Sequence, residues 1–199
     1  MDREYRSMEM TIRNSDVSGN TYIVEGYAST FLPYVLFNED GVDYSERIDR
    51  HAFDEADLSD VVFRIDHEGP VYARTTAGTV VLSIDDHGLH NFNDLSRTQR
   101  SRDVYEDIAA GNYPKMSFAF RVAPGGDHYD PETHTRVIDR IAKVFDISAV
   151  SFPANPTTNL SVSKRDWFDG VIERERAERL AAEERQATIN RILSLMEDE

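Results

Sequence analysis

The sequence contains no cysteine. Disulfides, thiolate nucleophiles and zinc sites built on Cys ligands are therefore excluded, and the lack suits an intracellular setting. Long apolar runs are missing as well. Nothing approaches the roughly 20 consecutive apolar residues of a membrane helix, and the opening MDREYRSMEMTI is too charged for a secretory signal. There is no internal repeat and no low-complexity block. Positive charge is scarce: 22 Lys and Arg stand against 37 Asp and Glu, for a formal net charge of -15. A surface of that sign repels nucleic-acid phosphates and anionic lipid, so neither nucleic acid nor membrane is expected as a partner. A neutral or basic protein remains a fitting one.

What is present suits one compact domain with an appendage. The chain has 199 residues, of which 40% are hydrophobic and 10% aromatic. Residues 1–165 read as a body of mixed strands and helices. Residues 166–199 read as a charged helical tail whose apolar positions (Val171, Ile172, Leu180, Ile189, Ile192, Leu193, Met196) form only a sparse stripe.

Within the body, NTYIVEGYASTF alternates as a strand does, and DVVFRID is a short buried strand. SERIDRHAFDEA, with a cap at Ser45, suits a short helix. GTVVLSI and LHNFND, separated by DDHG, form a hairpin. SRTQRSRDVYEDIAAG is a helix with Val104 and Ile108 on one face and Gly111 as its stop. MSFAFRVA and TRVIDRIAKVFDISAVSF are strands joined by the polar loop PGGDHYDPETH. Many strands and few helices predict an α+β fold: a mostly antiparallel, closed or nearly closed β-barrel surrounded by helices, with a C-terminal charged helix.

Few residues carry candidate chemistry. Ser117 alternates with Met116, Phe118 and Phe120, as a small filler would, or as a nucleophile held on a rigid strand. A serine nucleophile needs a base within hydrogen-bond reach, a group that orients the base, and donors for the oxyanion. Among the histidines, His51 falls in the helix just described, His87 and His90 flank a hairpin turn, and His128 and His134 lie in a polar loop. Only His67 directly follows an apolar strand. Asp146 interrupts another apolar strand; it is a sheet-edge acid, a partner for a nearby cation, or the group that orients His67. Asp66, His67 and Glu68 are all metal-ligand types, but consecutive strand residues point to opposite faces and cannot all grip one ion. No GxSxG elbow, HExxH spacing or cofactor motif is present, so neither cofactor nor metal is expected.

Four segments in this order resemble the tailed-phage prohead protease family, which is related to the herpesvirus assemblins. They are VEGYASTF, RIDHEGP, AAGNYPKMSFAF and FDISAVSFPANPTT. The resemblance implies an assemblin-like barrel and a serine endopeptidase with Ser117 as nucleophile, His67 as general base and Asp146 as the acid. It implies cleavage of scaffold and capsid protein, and of the protease itself, inside the procapsid in the host cytoplasm. The arginine pair that serves the oxyanion in the herpesvirus enzymes is absent from FPANPTTNL, which leaves backbone N–H groups of residues 153–158 as candidates, with none at Pro153 and Pro156. Self-association through the barrel or the tail helix is open to such a chain. The competing readings are a scaffolding protein of the same fold that cuts nothing, and a metal-dependent hydrolase using the DHE segment.

Overall fold

The computed structural model describes residues 3–8, 13–14, 22–151 and 162–197. The chain divides into two compact units, Met1–Thr158 and Asn159–Glu199. In chain order the strands are β1 (Glu4–Met8), β2 (Arg13–Asn14), β3 (Ile23–Thr30), β4 (Tyr34–Glu39), β5 (Val42–Ile48), β6 (Val62–Ile65) and β7 (Glu68–Arg74). They continue with β8 (Val80–Ile84), β9 (Gly88–Asp94), β10 (Lys115–Val122), β11 (Asp127–Asp130), β12 (Thr135–Ile138) and β13 (Ile141–Val150). Among the described residues two α-helices are present, α1 (Gln99–Ala109) and α2 (Val162–Glu197).

The strands form three sheets, in the orders β1-β10-β13-β6-β7, β11-β12-β5-β4 and β2-β3-β9-β8. One core joins them. Met116, Phe118 and Phe120 project from β10 into it, together with Val24, Ile48, Phe53, Phe63, Leu89 and Ile147. The rings of Phe118 and Phe120 stack with centroids 4.5 Å apart. Between β3 and β9 a bulge brings the backbones so close that a Cβ on Gly88 would lie 1.9 Å from the Ser29 carbonyl oxygen, and only glycine fits there. Helix α1 starts at Thr98, whose side chain accepts the N–H of Ser101, and buries Val104 and Ile108. Gly111, at φ 85°, follows its end as the left-handed stop.

The closed barrel ringed by helices is not what the chain forms. Among the described residues the strands lie in three open sheets, beside two α-helices. Alternation along a strand reports which face is buried, but not which neighbours its edges take. Among the described residues β1 and β7, β11 and β4, and β2 and β8 end their sheets without pairing to one another. Pro70 within β7 suits such an edge, since proline cannot donate to a ladder. Two pairings are parallel, β6 with β13 and β5 with β12.

Other local expectations change too. SERI belongs to β5, not to a helix, and His51 lies in the turn that follows. Tyr44, Glu46 and Ile48 are the buried positions of β5, and a buried glutamate in the middle of that row disguises its alternation. TRVIDRIAKVFDISAVSF is two strands in two sheets, because the N–H groups of Asp139 and Arg140 both turn to the Gly126 carbonyl, at 2.8 and 2.9 Å, and break the run. β1, β2, β4, β7 and β11 were not legible as strands. The C-terminal helix is present as α2, on which Leu180, Ile189 and Ile192 are exposed.

Candidate active site

Three neighbouring strands and one turn assemble a polar cluster. β10 presents Ser117 on the face opposite its phenylalanines. Across from it on β13 stands Ser148, and across from Ala119 stands Asp146. Residues two apart share a face, so Asp146 and Ser148 lie on the side of Ser117. β6 runs along the other edge of β13, with Ile65 beside Ala149. Ile65 and Glu68 pair directly, so Asp66 and His67 form a two-residue hairpin turn.

Both turn residues have positive φ, 49° at Asp66 and 62° at His67. That is the signature of a type I′ hairpin, which ordinarily takes Asn-Gly or Asp-Gly. A histidine there costs on the order of 1 kcal/mol of backbone strain. Bonds from the turn to β13 and its end offset the cost. The Asp66 N–H donates to the Ala149 carbonyl at 3.0 Å. The Asp66 carboxylate accepts from the Ser151 N–H at 2.9 Å and from the Ser151 hydroxyl at 3.0 Å. The His67 N–H donates to Ser148 Oγ at 3.2 Å.

Held in this way, the imidazole reaches back over β13. Its Nδ1 lies 2.6 Å from Asp146 Oδ1, and its Nε2 lies 2.6 Å from Ser117 Oγ. A carboxylate can only accept, so Nδ1 carries the proton in that contact, which leaves Nε2 of the neutral ring free to accept from the serine hydroxyl. The edge of the Tyr5 ring packs against the imidazole, with centroids 4.7 Å apart. Ser117 and Ser148 are fully buried, Asp146 is nearly so, and the His67 side chain keeps 15% of its surface exposed.

The Ser117 hydroxyl has a second partner. It also donates to the main-chain oxygen of Arg6 at 2.7 Å, so one proton faces two acceptors. Arg6 sits on β1, where its side chain is buried and ion-paired with Glu46. Arg136 joins Glu46 at 3.1 Å and Glu4 at 2.7 Å, and Tyr34 also donates to Glu46. Burial alone would raise the Glu46 carboxyl, but the charge and hydrogen bond of Arg6 together with Arg136 hold it down at about 2. This network anchors β1 beside the serine.

Ser117, His67 and Asp146 thus meet, although they were singled out in three separate segments. The other histidines lie elsewhere. His51 bonds Asp54, His128 bonds Asp139, His134 meets Tyr129, and His87 and His90 pack on Tyr27. The DHE segment is not a strand run: Asp66 and His67 are turn residues, Asp66 turned to Ser151 and His67 to the serine. Among the described residues no three metal-ligand side chains converge. Residues 153–158, the sequence-based candidates for the oxyanion, lie outside the described residues. The sequence passes Ser148 and the Arg6 carbonyl by, and offers Asp66 only as a metal-ligand type. Ser148 had a signal: it is polar, in an apolar strand, and two positions from Asp146. Arg64 went unnoticed as well; it is paired across from Ser148, and its Nε is buried without a hydrogen-bond partner.

A buried hydroxyl, an imidazole and a carboxylate in series form the arrangement that makes a serine nucleophilic. No curated protein and no solved structure matches the chain. The family model described as caudovirus prohead serine protease matches residues 8–169, which is most of the chain and includes all three side chains, and the chain therefore belongs to that family.

Proposed function

We propose that the chain is a serine endopeptidase of phage procapsid maturation that cuts scaffold and capsid protein, and itself, with Ser117 as nucleophile, His67 as general base and Asp146 as the orienting acid. The observation that carries this is the series of two 2.6 Å contacts, Ser117 to His67 and His67 to Asp146. In the first step Ser117 Oγ attacks the scissile carbonyl carbon while its proton passes to His67 Nε2. The tetrahedral intermediate then collapses. The C–N bond breaks, the leaving amine takes the proton from Nε2, and an acyl-enzyme remains. Water repeats the sequence: it gives its proton to Nε2, attacks the ester, and releases Ser117 as the proton returns to Oγ. Throughout, Asp146 holds the Nδ1–H tautomer and offsets the charge of the transient imidazolium.

A procapsid protease acts on proteins packed around it, and the chain's acidic charge suits a protein partner better than a nucleic acid. No helix among the described residues is long and apolar enough to cross a membrane. Residues 1–165 form the protease body in this proposal, and residues 166–199 tether it to the assembling scaffold.

The test is co-expression with the cognate capsid and scaffold proteins, wild type beside Ser117→Ala. Wild type yields shortened scaffold and shortened protease; the alanine variant yields neither. Uncut proteins in both lanes, with heads still assembling, would instead favour a scaffolding protein that cuts nothing.

A further inference from the structure

We propose that Ser148 is a positioning residue for the histidine, a role that rests on the hydrolytic reading of the site. Its hydroxyl closes a ring. The His67 backbone N–H donates to Ser148 Oγ at 3.2 Å, Ser148 Oγ–H donates to Asp146 Oδ1 at 3.0 Å, and the His67 side chain returns to that same oxygen at 2.6 Å. The ring of the histidine is thereby fastened to that carboxylate oxygen directly, and its backbone through a single hydroxyl.

The chemistry of the position is narrow. The ring needs a group that accepts from an N–H and donates to a carboxylate at the same time, on a side chain short enough to stay beneath the imidazole. Only serine and threonine meet that demand; alanine does neither, and an amide is too long. The demand comes from the turn. His67 sits at φ 62°, a backbone state that histidine does not favour by itself, so its N–H must be held from outside. Ser148 is placed to hold it because β13 sets it two residues from Asp146 and directly across from Ser117. Without the hydroxyl the turn keeps its Asp66 contacts, but the His67 N–H loses its link to the acid. A displacement on the order of 1 Å at a reacting group costs about 100-fold in rate.

The test uses the full chain with Ser148→Ala, Ser148→Thr and Ser148→Cys; the last is close to serine in volume and serves if alanine leaves the fold impaired. Two readouts are taken. One is the rate at which a fluorophosphonate labels Ser117, located by mass spectrometry. The other is the low-field proton signal of His67 Nδ1–H, which reports the bond to Asp146 without any reaction. Alanine and cysteine should slow labelling about 10- to 100-fold and broaden or abolish the low-field signal, while threonine keeps both within about 3-fold. Circular dichroism should show the same fold in all variants. Wild-type labelling and an intact signal in the alanine or cysteine variant would overturn the role. An unlabelled wild type whose low-field signal still follows the Ser148 pattern would leave the positioning role standing and remove the protease reading.

Discussion

His67 Nδ1 and Asp146 Oδ1 lie 2.6 Å apart although 79 positions separate the two residues. If this contact sets the histidine tautomer, Asp146→Asn lowers turnover by about 10- to 1000-fold, since an amide favours the wrong tautomer. Asp146→Glu keeps the charge and retains more activity than the amide. Turnover of one scaffold-derived peptide by purified wild type, Asn, Glu and Ala variants decides it. Equal rates in all four would make Asp146 a structural acid only.

If His67 is the base, removing its ring leaves Ser117 with no group to take its proton. His67→Ala should be nearly as damaging as Ser117→Ala, because members of one catalytic unit are not additive. Peptide hydrolysis by wild type, the two single variants and the double variant measures this. A double variant far slower than either single one would show that the two act independently.

The Arg6–Glu46 pair makes a prediction about acid stability. The Glu46 carboxyl is held at about 2 in the fold against an ordinary 4.5. A folded-state value below the unfolded one gives stability that is complete above about 4.5 and is lost as the pH falls from there towards 2. Glu46→Gln should flatten that loss. It should also destabilise the protein at neutral pH by about 3–5 kcal/mol, because Arg6 and Arg136 stay buried with too little opposing charge. Urea unfolding at a series of pH values gives both quantities, and an unchanged acid limb would dismiss the network as a stability determinant.

Asp66 tests the turn itself. Asp66→Asn tolerates positive φ and can still accept from Ser151, so it should cost under about 1 kcal/mol. Asp66→Ala loses both the backbone tolerance and the Ser151 contacts and should cost about 2 kcal/mol or more. It should also slow labelling of Ser117, as the histidine drifts with the turn. Equal unfolding midpoints for the two variants would mean that the turn is held by other contacts.

Ending the chain after Ser163 removes nearly all of α2. Leu180, Ile189 and Ile192 of that helix are exposed, and the remaining chain should fold and still react with a fluorophosphonate. Incorporation into assembling heads should fall if the tail is the tether. Loss of soluble, folded protein on truncation would place α2 in the core instead.

What residues dictate locally was readable from their order. Met116, Phe118 and Phe120 against Ser117 show a strand with a polar group on its second face. Val104, Ile108 and Gly111 show a helix and its end. His67 after VVFRI and Asp146 within VFDISAV mark polar groups at places where burial is costly unless something answers them. Three things were hidden, for different physical reasons. Glu46 conceals β5, because an ion-paired glutamate in the interior looks like any surface charge until Arg6 is known to reach it. Alternation fixes faces but not edges, so the split of residues 135–150 into two sheets, and the failure of the sheets to close, depend on pairings between distant strands. The meeting of Ser117, His67 and Asp146 is likewise a matter of register: β10 must lie antiparallel to β13 with Ser117 opposite Ser148, and β6 must run parallel to β13 so that its turn stands over the acid. A slip of one residue in either ladder would turn the serine or the carboxylate to the other face. The sequence determined which groups could do the chemistry, because their identity and local rigidity are written in it. Only the tertiary structure decided that they touch, because hydrogen-bond register between strands far apart in the chain has no local signature.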